Sequence, residues 1–73
     1  MKFIEGTYRH YKGHIYRVLG EAQHTETGER LVAYRALQDN GTVIWVRPYT
    51  MFFDTVTVDG VKQPRFERIG DET

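Results

Sequence analysis

Nine glycine and proline residues divide this 73-residue chain into segments that are too short for long helices. They stand at Gly6, Gly13, Gly20, Gly28, Gly41, Pro48, Gly60, Pro64 and Gly70. No window of about 11 residues keeps the i, i+3, i+4, i+7 apolar spacing of a helix without meeting glycine, proline or clustered β-branched residues. The short spacings instead predict five or six short, mostly antiparallel strands, which suit a small closed or half-closed barrel.

Alternating side chains within these segments support an all-β interpretation. In the segment 30–37, Val32, Tyr34 and Ala36 share one face, as the two-residue period of a strand requires. Gly20 lies in a longer segment whose two faces both carry apolar residues, and it predicts a bend or bulge. The predicted core holds Tyr16, Val18, Val32, Tyr34, Trp45, Phe52 and Phe66.

Three glycine-containing pairs predict tight turns, because glycine adopts positive φ without a steric penalty. These pairs are Lys12-Gly13, Asn40-Gly41 and Asp59-Gly60. Pro64 predicts that the last strand is an edge strand or is bulged, since proline cannot donate to a ladder. The segment 49–54 is ambiguous, and a short helical turn there would place Met51 and Phe52 in the core.

The length and composition predict one domain spanning residues 1–73. We expect its ordered part to cover about residues 6–69, between a short N-terminal lead and an acidic C-terminal tail. The chain has no cysteine, which excludes disulfides and thiolate metal sites. It shows neither a signal peptide nor a run approaching the roughly 18 apolar residues of a membrane span. We therefore expect a soluble, cytoplasmic protein without a membrane partner.

The charged residues argue against one class of partner. Ten basic and ten acidic side chains give a net charge of zero, which does not favour non-specific nucleic-acid binding. A local basic patch remains open within residues 1–17, where four basic side chains accompany one acidic side chain. Seven of the ten basic residues are arginine, the side chain best suited to planar contacts with carboxylates, phosphates or rings.

Several separated stretches match, in order, those of a known family. They are residues 6–16, 24–29, 31–35, 45–48 and 51–52, Gly60, and residues 64–66. Together they resemble a family of small bacterial proteins catalogued as domain of unknown function 1653. The resemblance implies an SH3-like barrel, in agreement with the strand count. It implies no activity, so no catalytic residue is carried over from it.

The first candidate site is the run from Tyr8 to Lys12, in which aromatic and basic side chains alternate. Stacking combined with positive charge is how small barrels bind single-stranded nucleic acid or anionic ligands. The alternative is an ordinary amphipathic strand, with Tyr8 and His10 on one face and Arg9 and Tyr11 on the other.

The second candidate is the polar loop that contains His24, Glu26 and Glu29. An imidazole and two carboxylates at short spacing can bind a divalent metal or act as general base and acid. The alternative is a structural loop, in which Thr25 or Thr27 closes a turn through its hydroxyl. Because no four-ligand set is visible, we expect no metal and no cofactor.

Two arginines near strand ends complete the set of candidates. Arg47 could bind a carboxylate or phosphate with Trp45 as a wall, or Trp45 could be core and Arg47 could pair with Asp54 or Glu67. Phe66 indicates core, and its neighbour Arg65 indicates either a binding rim or an ion pair.

These observations favour a non-catalytic binding module over an enzyme. The chain has neither serine nor cysteine, and so small a barrel has little room for a typical pocket of roughly 300–1,000 Å³. The predicted binding surface comprises Tyr8, His10, Arg47 and Arg65, with His24 at its margin, because the first strand of a small barrel commonly lies near the last. Its partner is left open between a protein or peptide and an anionic ligand. The alternatives are a domain that binds single-stranded or structured RNA and a small enzyme that uses His24 and Glu26.

Overall fold

The structure is a computed structural model, and it describes residues 4–37 and 43–70. Over these residues the chain forms seven strands and one short helix. In chain order they are β1 (Gly6–His10), β2 (Ile15–Gln23), β3 (Arg30–Ala36), β4 (Trp45–Pro48), α1 (Tyr49–Phe52), β5 (Thr55–Val58), β6 (Val61–Pro64) and β7 (Phe66–Gly70).

The strands form two antiparallel sheets. The larger sheet has the order β4-β3-β2-β1-β7, and the smaller one pairs β5 with β6. The all-β, antiparallel prediction is therefore confirmed, and β1 does lie beside β7, the last strand. Within the described residues the ladders do not close into a barrel, because β4 and β7 are opposite edges of the larger sheet.

The strand count exceeds the predicted five or six because the last segment divides at Arg65. Pro64 ends β6, and the N–H of Arg65 donates to the carbonyl of Asp54 at 3.0 Å. The chain then pairs with β1 from Phe66 onward. This break fits the irregularity that Pro64 predicted for the segment.

Two of the three predicted turns lie within the described residues, and both are confirmed. The β1–β2 turn has Gly13 at φ 107°, and the N–H of Gly13 donates to the carbonyl of His10 at 2.7 Å. The β5–β6 turn has Asp59 and Gly60 at φ 53° and 79°, positive at both central residues as a type I′ hairpin requires. The Asn40-Gly41 pair lies outside the described residues. The bulge predicted near Gly20 appears as a register shift between Val18 and Gly20.

The core lies between the inner face of the larger sheet and α1. Its buried members are Tyr8, Val18, Val32, Tyr34, Phe52 and Phe66. Five of these six were predicted, and the predicted Tyr16 packs against the cluster while only partly buried.

The prediction that Trp45 is core is wrong, since 50% of its surface is exposed. Trp45 starts β4, an edge strand, directly opposite Tyr34. Tyr8 takes the core position instead, because β1 lies between β2 and β7 and its inward side chain is covered on both sides.

The ambiguous segment contains the four-residue helix α1, so the helical turn considered for it is present. Phe52 is fully buried and stacks on Phe66 with a ring-centroid distance of 4.0 Å. Met51 is 46% exposed, so its predicted core position is wrong, because one helical turn directs only one of the two neighbours inward. Among the described residues, no helix is long and apolar enough to cross a membrane.

Candidate functional site

Two of the five predicted surface residues contact one aromatic ring, and a third directly precedes that ring in the chain. His10 in β1 pairs directly with Phe66 in β7, and their ring centroids are 4.9 Å apart. The Arg47 guanidinium carbon lies 5.5 Å from the centre of the same ring. Arg65 immediately precedes Phe66. We call His10, Arg47, Asp54, Arg65 and Phe66 the arginine–aromatic cluster.

Arg47 is held in position by the core beneath it. Its Nε donates to the hydroxyl of Tyr34 at 3.3 Å, and its guanidinium lies near the Phe66 ring as a cation–π contact. Strand β4 orients Arg47 inward, because its partner in the β3 ladder is the buried Val32. The salt bridge to Asp54 or Glu67 considered for Arg47 is not formed, since those carboxylates bind Arg65 and Arg9.

Arg65 forms the ion pair that was one of its two predicted roles. Its Nε and Nη2 donate to the two carboxylate oxygens of Asp54 at 2.8 and 3.3 Å, a bidentate contact. Hydrogen bonds from Arg65 hold the pKa of Asp54 below its ordinary value, and the nearby charges of Arg65 and Arg47 act in the same direction. The same hydrogen bonds raise the pKa of Arg65.

His10 adds an imidazole in which one nitrogen is already engaged. Its Nδ1 accepts a hydrogen bond from the backbone N–H of Lys12 at 3.1 Å, which leaves Nε2 to carry the proton of the neutral ring. Partial burial lowers the pKa of His10, and the charges of Arg47 and Arg65 lower it further. At neutral pH the cluster therefore carries two guanidinium charges and one carboxylate charge, a net positive charge.

Tyr8 does not belong to this surface, and the prediction that it is exposed is wrong. Its side chain is 4% exposed, and its hydroxyl donates to the carbonyl of Ile4 at 3.0 Å. Its ring packs edge-on against Phe52, with the centroids 5.5 Å apart. Burial raises the pKa of the Tyr8 phenol, with the Arg68 charge opposing the shift.

His24 lies at the end of β2 opposite to His10. Nine-residue β2 separates the two histidines, which corresponds to roughly 25 Å at about 3.3 Å per residue. Its Nδ1 accepts hydrogen bonds from the N–H groups of Glu26 and Thr27, and Thr27 Oγ1 accepts one from Glu29 N–H. These are the contacts of a structural turn. In the described part of the chain, no three His, Asp or Glu side chains are grouped to bind a metal ion.

Sequence reasoning missed two features of the cluster. It considered Asp54 and Glu67 as partners of Arg47 and named no single partner for Arg65, because the Arg65–Asp54 pairing depends on the break after Pro64. It also placed Trp45 in its predicted core, whereas the exposed indole lies two residues from Arg47 on the same face of β4. The alternation of side chains along a strand predicts that Trp45 and Arg47 share a face. No local signal in the sequence shows that β4 is an edge strand of the larger sheet.

The fold and the cluster together define a small all-β domain with an arginine–aromatic cluster. The chain belongs to the family described as protein of unknown function (DUF1653), which matches residues 6–68. This confirms the resemblance seen in the sequence.

A solved structure agrees with this assignment. The crystal structure of a DUF1653 protein from Bordetella bronchiseptica is 37% identical and superposes with a TM-score of 0.86. The alignment covers 99% of this chain and 94% of that one. Comparison with curated proteins finds no match.

Proposed function

We propose that this domain is a non-catalytic binding module that captures an acidic protein segment at the arginine–aromatic cluster. The observation that carries the proposal is the position of Arg47. Within the described structure this guanidinium makes one side-chain hydrogen bond, from Nε to Tyr34, while the Phe66 ring supports it. Its terminal nitrogens retain donors in the planar arrangement that binds a carboxylate at both oxygens.

The charges around Arg47 support an anionic partner. Arg65 is neutralised locally by Asp54, so it contributes mainly to the electric field and to the position of its neighbours. Arg47 then supplies the unneutralised charge of the cluster. The proximity of Lys12 and His14, whose charges also lower the pKa of His10, extends the positive region along the β1–β2 turn.

Exposed aromatic surface beside Arg47 supports a macromolecular partner. Trp45 lies on the same face of β4, with half of its surface accessible. Tryptophan and arginine are the side chains most often found to dominate the energetics of protein interfaces. A segment with an acidic residue next to an apolar one would contact both side chains at once.

We also propose that the fold is an SH3-like barrel. An SH3-like barrel is supported by the antiparallel order of the larger sheet, by the contact of its first and last strands, and by the separate β5–β6 hairpin. The contact between Arg65 N–H and the Asp54 carbonyl joins that hairpin to the start of β7. A cytoplasmic location remains part of the proposal.

The enzyme alternative has less support than the binding module. The His24 Nδ1 accepts two backbone hydrogen bonds, so that nitrogen serves the loop. A small enzyme based on His24 and Glu26 would lose turnover in His24→Ala while remaining folded. The RNA-binding alternative predicts a steep loss of affinity with salt, about one log unit per log of salt for each phosphate contact.

The proposal is tested by NMR titration of the ¹⁵N-labelled domain. One arm uses a glutamate-rich peptide that contains tryptophan or leucine, and the other uses single-stranded and hairpin RNA of equal charge. We expect the peptide to shift the amides of β4 and of residues 10–14, with weak salt dependence. Tighter binding of RNA with a steep salt slope would favour the alternative.

Arg47→Ala is the decisive variant, and Arg9→Ala is its matched control. Arg9 is an exposed arginine paired with Glu67 on the opposite face of the sheet. We expect Arg47→Ala to weaken peptide binding about tenfold or more, the effect of losing a charge-assisted contact, and Arg9→Ala to leave it unchanged. Equal affinity in the wild type and Arg47→Ala would refute the proposal.

A further inference from the structure

Strand β4 and the two residues before it carry exposed apolar surface at an edge of the larger sheet. Within residues 4–37 and 43–70, the one strand that pairs with β4 is β3. Val43, Ile44, Trp45 and Val46 are four successive apolar residues, and each is between 50% and 56% exposed. An edge of this kind is a template for a further strand unless charges, bulges or a covering element protect it. The open side of β4 is therefore a candidate docking surface for an extended segment.

Pro48 determines which backbone groups face the open side of β4. It pairs with Leu31 in the β3 ladder, and it has no N–H to donate. The Pro48–Leu31 pair therefore lacks mutual hydrogen bonds, and bonded and non-bonded pairs alternate from there along the antiparallel ladder. Arg47 and Trp45 then exchange hydrogen bonds with β3, whereas the N–H and carbonyl of Val46 point away from it. Val46 is consequently the residue of β4 that presents both a donor and an acceptor at the open edge.

The two side chains that flank Val46 give this edge its chemistry. Trp45 and Arg47 lie on the inner face of β4, paired with the inward residues Tyr34 and Val32 of β3. The Arg47 Nε donates to the Tyr34 hydroxyl, and its terminal nitrogens supply donors for a carboxylate. Trp45 adds an indole ring that is half accessible. A strand added beside β4 would place alternate side chains next to this cation and this ring.

We propose that the acidic segment binds as an additional antiparallel strand at the open edge of β4, with its central residue hydrogen-bonded in both directions to Val46. This inference rests on the function proposed above, and it adds the conformation and residue order of the partner. Every strand pair in the described structure is antiparallel, and antiparallel pairing is the slightly more stable kind. An acidic residue then lies opposite Arg47 and an apolar residue opposite Trp45. From its N-terminus to its C-terminus, the partner therefore reads acidic, any, apolar.

Charge complementarity favours such a segment over a second copy of this chain. Two β4 strands paired antiparallel about Val46 would place Trp45 of each copy opposite Arg47 of the other. Both guanidiniums would then remain without a carboxylate, and the two positively charged clusters would be brought together. An acidic segment neutralises Arg47 instead, as complementary interfaces require.

The direct test is hydrogen exchange of the ¹⁵N-labelled wild-type domain, with and without a peptide that carries the core Glu-Thr-Leu between glycine and serine residues. At saturation we expect exchange of the Val46 N–H to slow about tenfold or more. The N–H groups of Trp45 and Arg47 already lie in the β3 ladder and should change less. If the peptide binds and requires Arg47 while Val46 exchange is unchanged, the added strand is wrong and the proposed function stands. If no acidic peptide binds, both are wrong.

Methylation of the peptide backbone separates strand pairing from side-chain contact. A methyl group on the threonine nitrogen removes the N–H that donates to the Val46 carbonyl, and it should weaken binding about tenfold or more. A methyl group on the leucine nitrogen, which faces away from β4, is the matched control and should have little effect. Equal affinities of the two methylated peptides would overturn the proposal.

Two further measurements test the direction of the strand and its occupant. A peptide with the reversed core Leu-Thr-Glu should bind roughly twofold to fivefold less tightly, the range of one partly exposed charge pair. Equal or tighter binding of the reversed peptide would contradict the antiparallel register. Protection of the Val46 N–H that increases with protein concentration, in the absence of peptide, would show that a second copy occupies the edge and would also overturn the proposal.

Discussion

At the scale of single residues, Arg65 joins three parts of the chain. Its carbonyl accepts a hydrogen bond from the N–H of Tyr11, and its own N–H donates to the carbonyl of Asp54. Its guanidinium then binds both carboxylate oxygens of Asp54. Because Arg65 positions the β1–β2 turn, the start of β5 and the start of β7, variants of Asp54 test the ion pair with less disturbance.

We expect Asp54→Asn to reduce the loss of stability in acid. Hydrogen bonds from Arg65 lower the folded-state pKa of Asp54 below 3.8, so the ion pair stabilises the fold above that pH. This stabilisation is lost as the pH falls through the lowered pKa. Urea denaturation between about pH 2 and pH 7 should therefore show a shallower acid decline for Asp54→Asn than for the wild type. Asp59→Asn, in a turn that asparagine tolerates, is the control.

His10 gives a second pH-dependent prediction. Burial and the neighbouring arginines lower its folded-state pKa below 6.5, so the unfolded chain binds this proton more tightly. Stability should consequently decrease as the pH falls from about 6.5 to the lowered pKa. An acidic segment bound beside His10 stabilises the imidazolium, so affinity should increase over the same range. The His10 Cε1–H chemical shift, measured with and without peptide, reports both pKa values. Identical values would contradict this linkage, and His10→Gln is the control.

At the scale of elements, Gly60 and Gly6 are glycine for different physical reasons, which substitution by alanine can separate. Gly60 in the β5–β6 turn has φ 79° and open space around a potential Cβ, so Gly60→Ala should cost only backbone strain, about 1–2 kcal/mol. Gly6 has φ 153°, and a Cβ there would lie 2.9 Å from the carbonyl oxygen of Gly70. We expect Gly6→Ala to be more destabilising because it also separates β1 from β7. Chemical denaturation of both variants measures the difference, and equal losses would show that the β1–β7 contact adapts.

The elements were predictable where a local signal fixes them. Asp59-Gly60 requires a turn of a particular type, and the alternation around Val32 and Tyr34 requires a strand with one buried face. The division at Arg65 was not predictable in detail. Pro64 indicates an interruption, but the new partners of the chain after it depend on the arrival of β1 and Asp54 from distant positions.

At the scale of the whole molecule, Phe52 is the central contact between α1 and the larger sheet. It has no exposed surface, and its ring contacts Tyr8, Tyr34 and Phe66. We expect Phe52→Ala to cost about 3–5 kcal/mol, a large part of the stability of so small a domain. Met51→Ala, one residue earlier and 46% exposed, should change stability by less than about 0.5 kcal/mol. Thermal denaturation followed by circular dichroism compares them, and similar losses would contradict this assignment of the core.

The core contains Tyr8 instead of the predicted Trp45, and this difference shows what the sequence pattern alone does not determine. Both are large aromatic side chains in short strands, and the alternation of side chains along a strand allows either of them to point inward. Their burial differs because β1 has strands on both sides whereas β4 has one neighbour in its sheet. Strand order is set by contacts across the chain, so the arginine–aromatic cluster could be predicted only in part, through His10, Arg47 and Arg65.

The pairing of β1 with β7 sets a limit on when this domain can complete its fold during synthesis. Thr7 faces Gly70 across that ladder. One side of the interior strand β1 therefore pairs with residues that are synthesised about sixty positions later. At about 5–20 residues per second, the ribosome needs roughly 3–12 seconds to supply it. For that interval the inner face of β1, with Tyr8, lacks the strand that encloses it. Folding of this domain is therefore completed only after Gly70 has left the ribosomal tunnel, and until then one of the two strands that cover Tyr8 is absent.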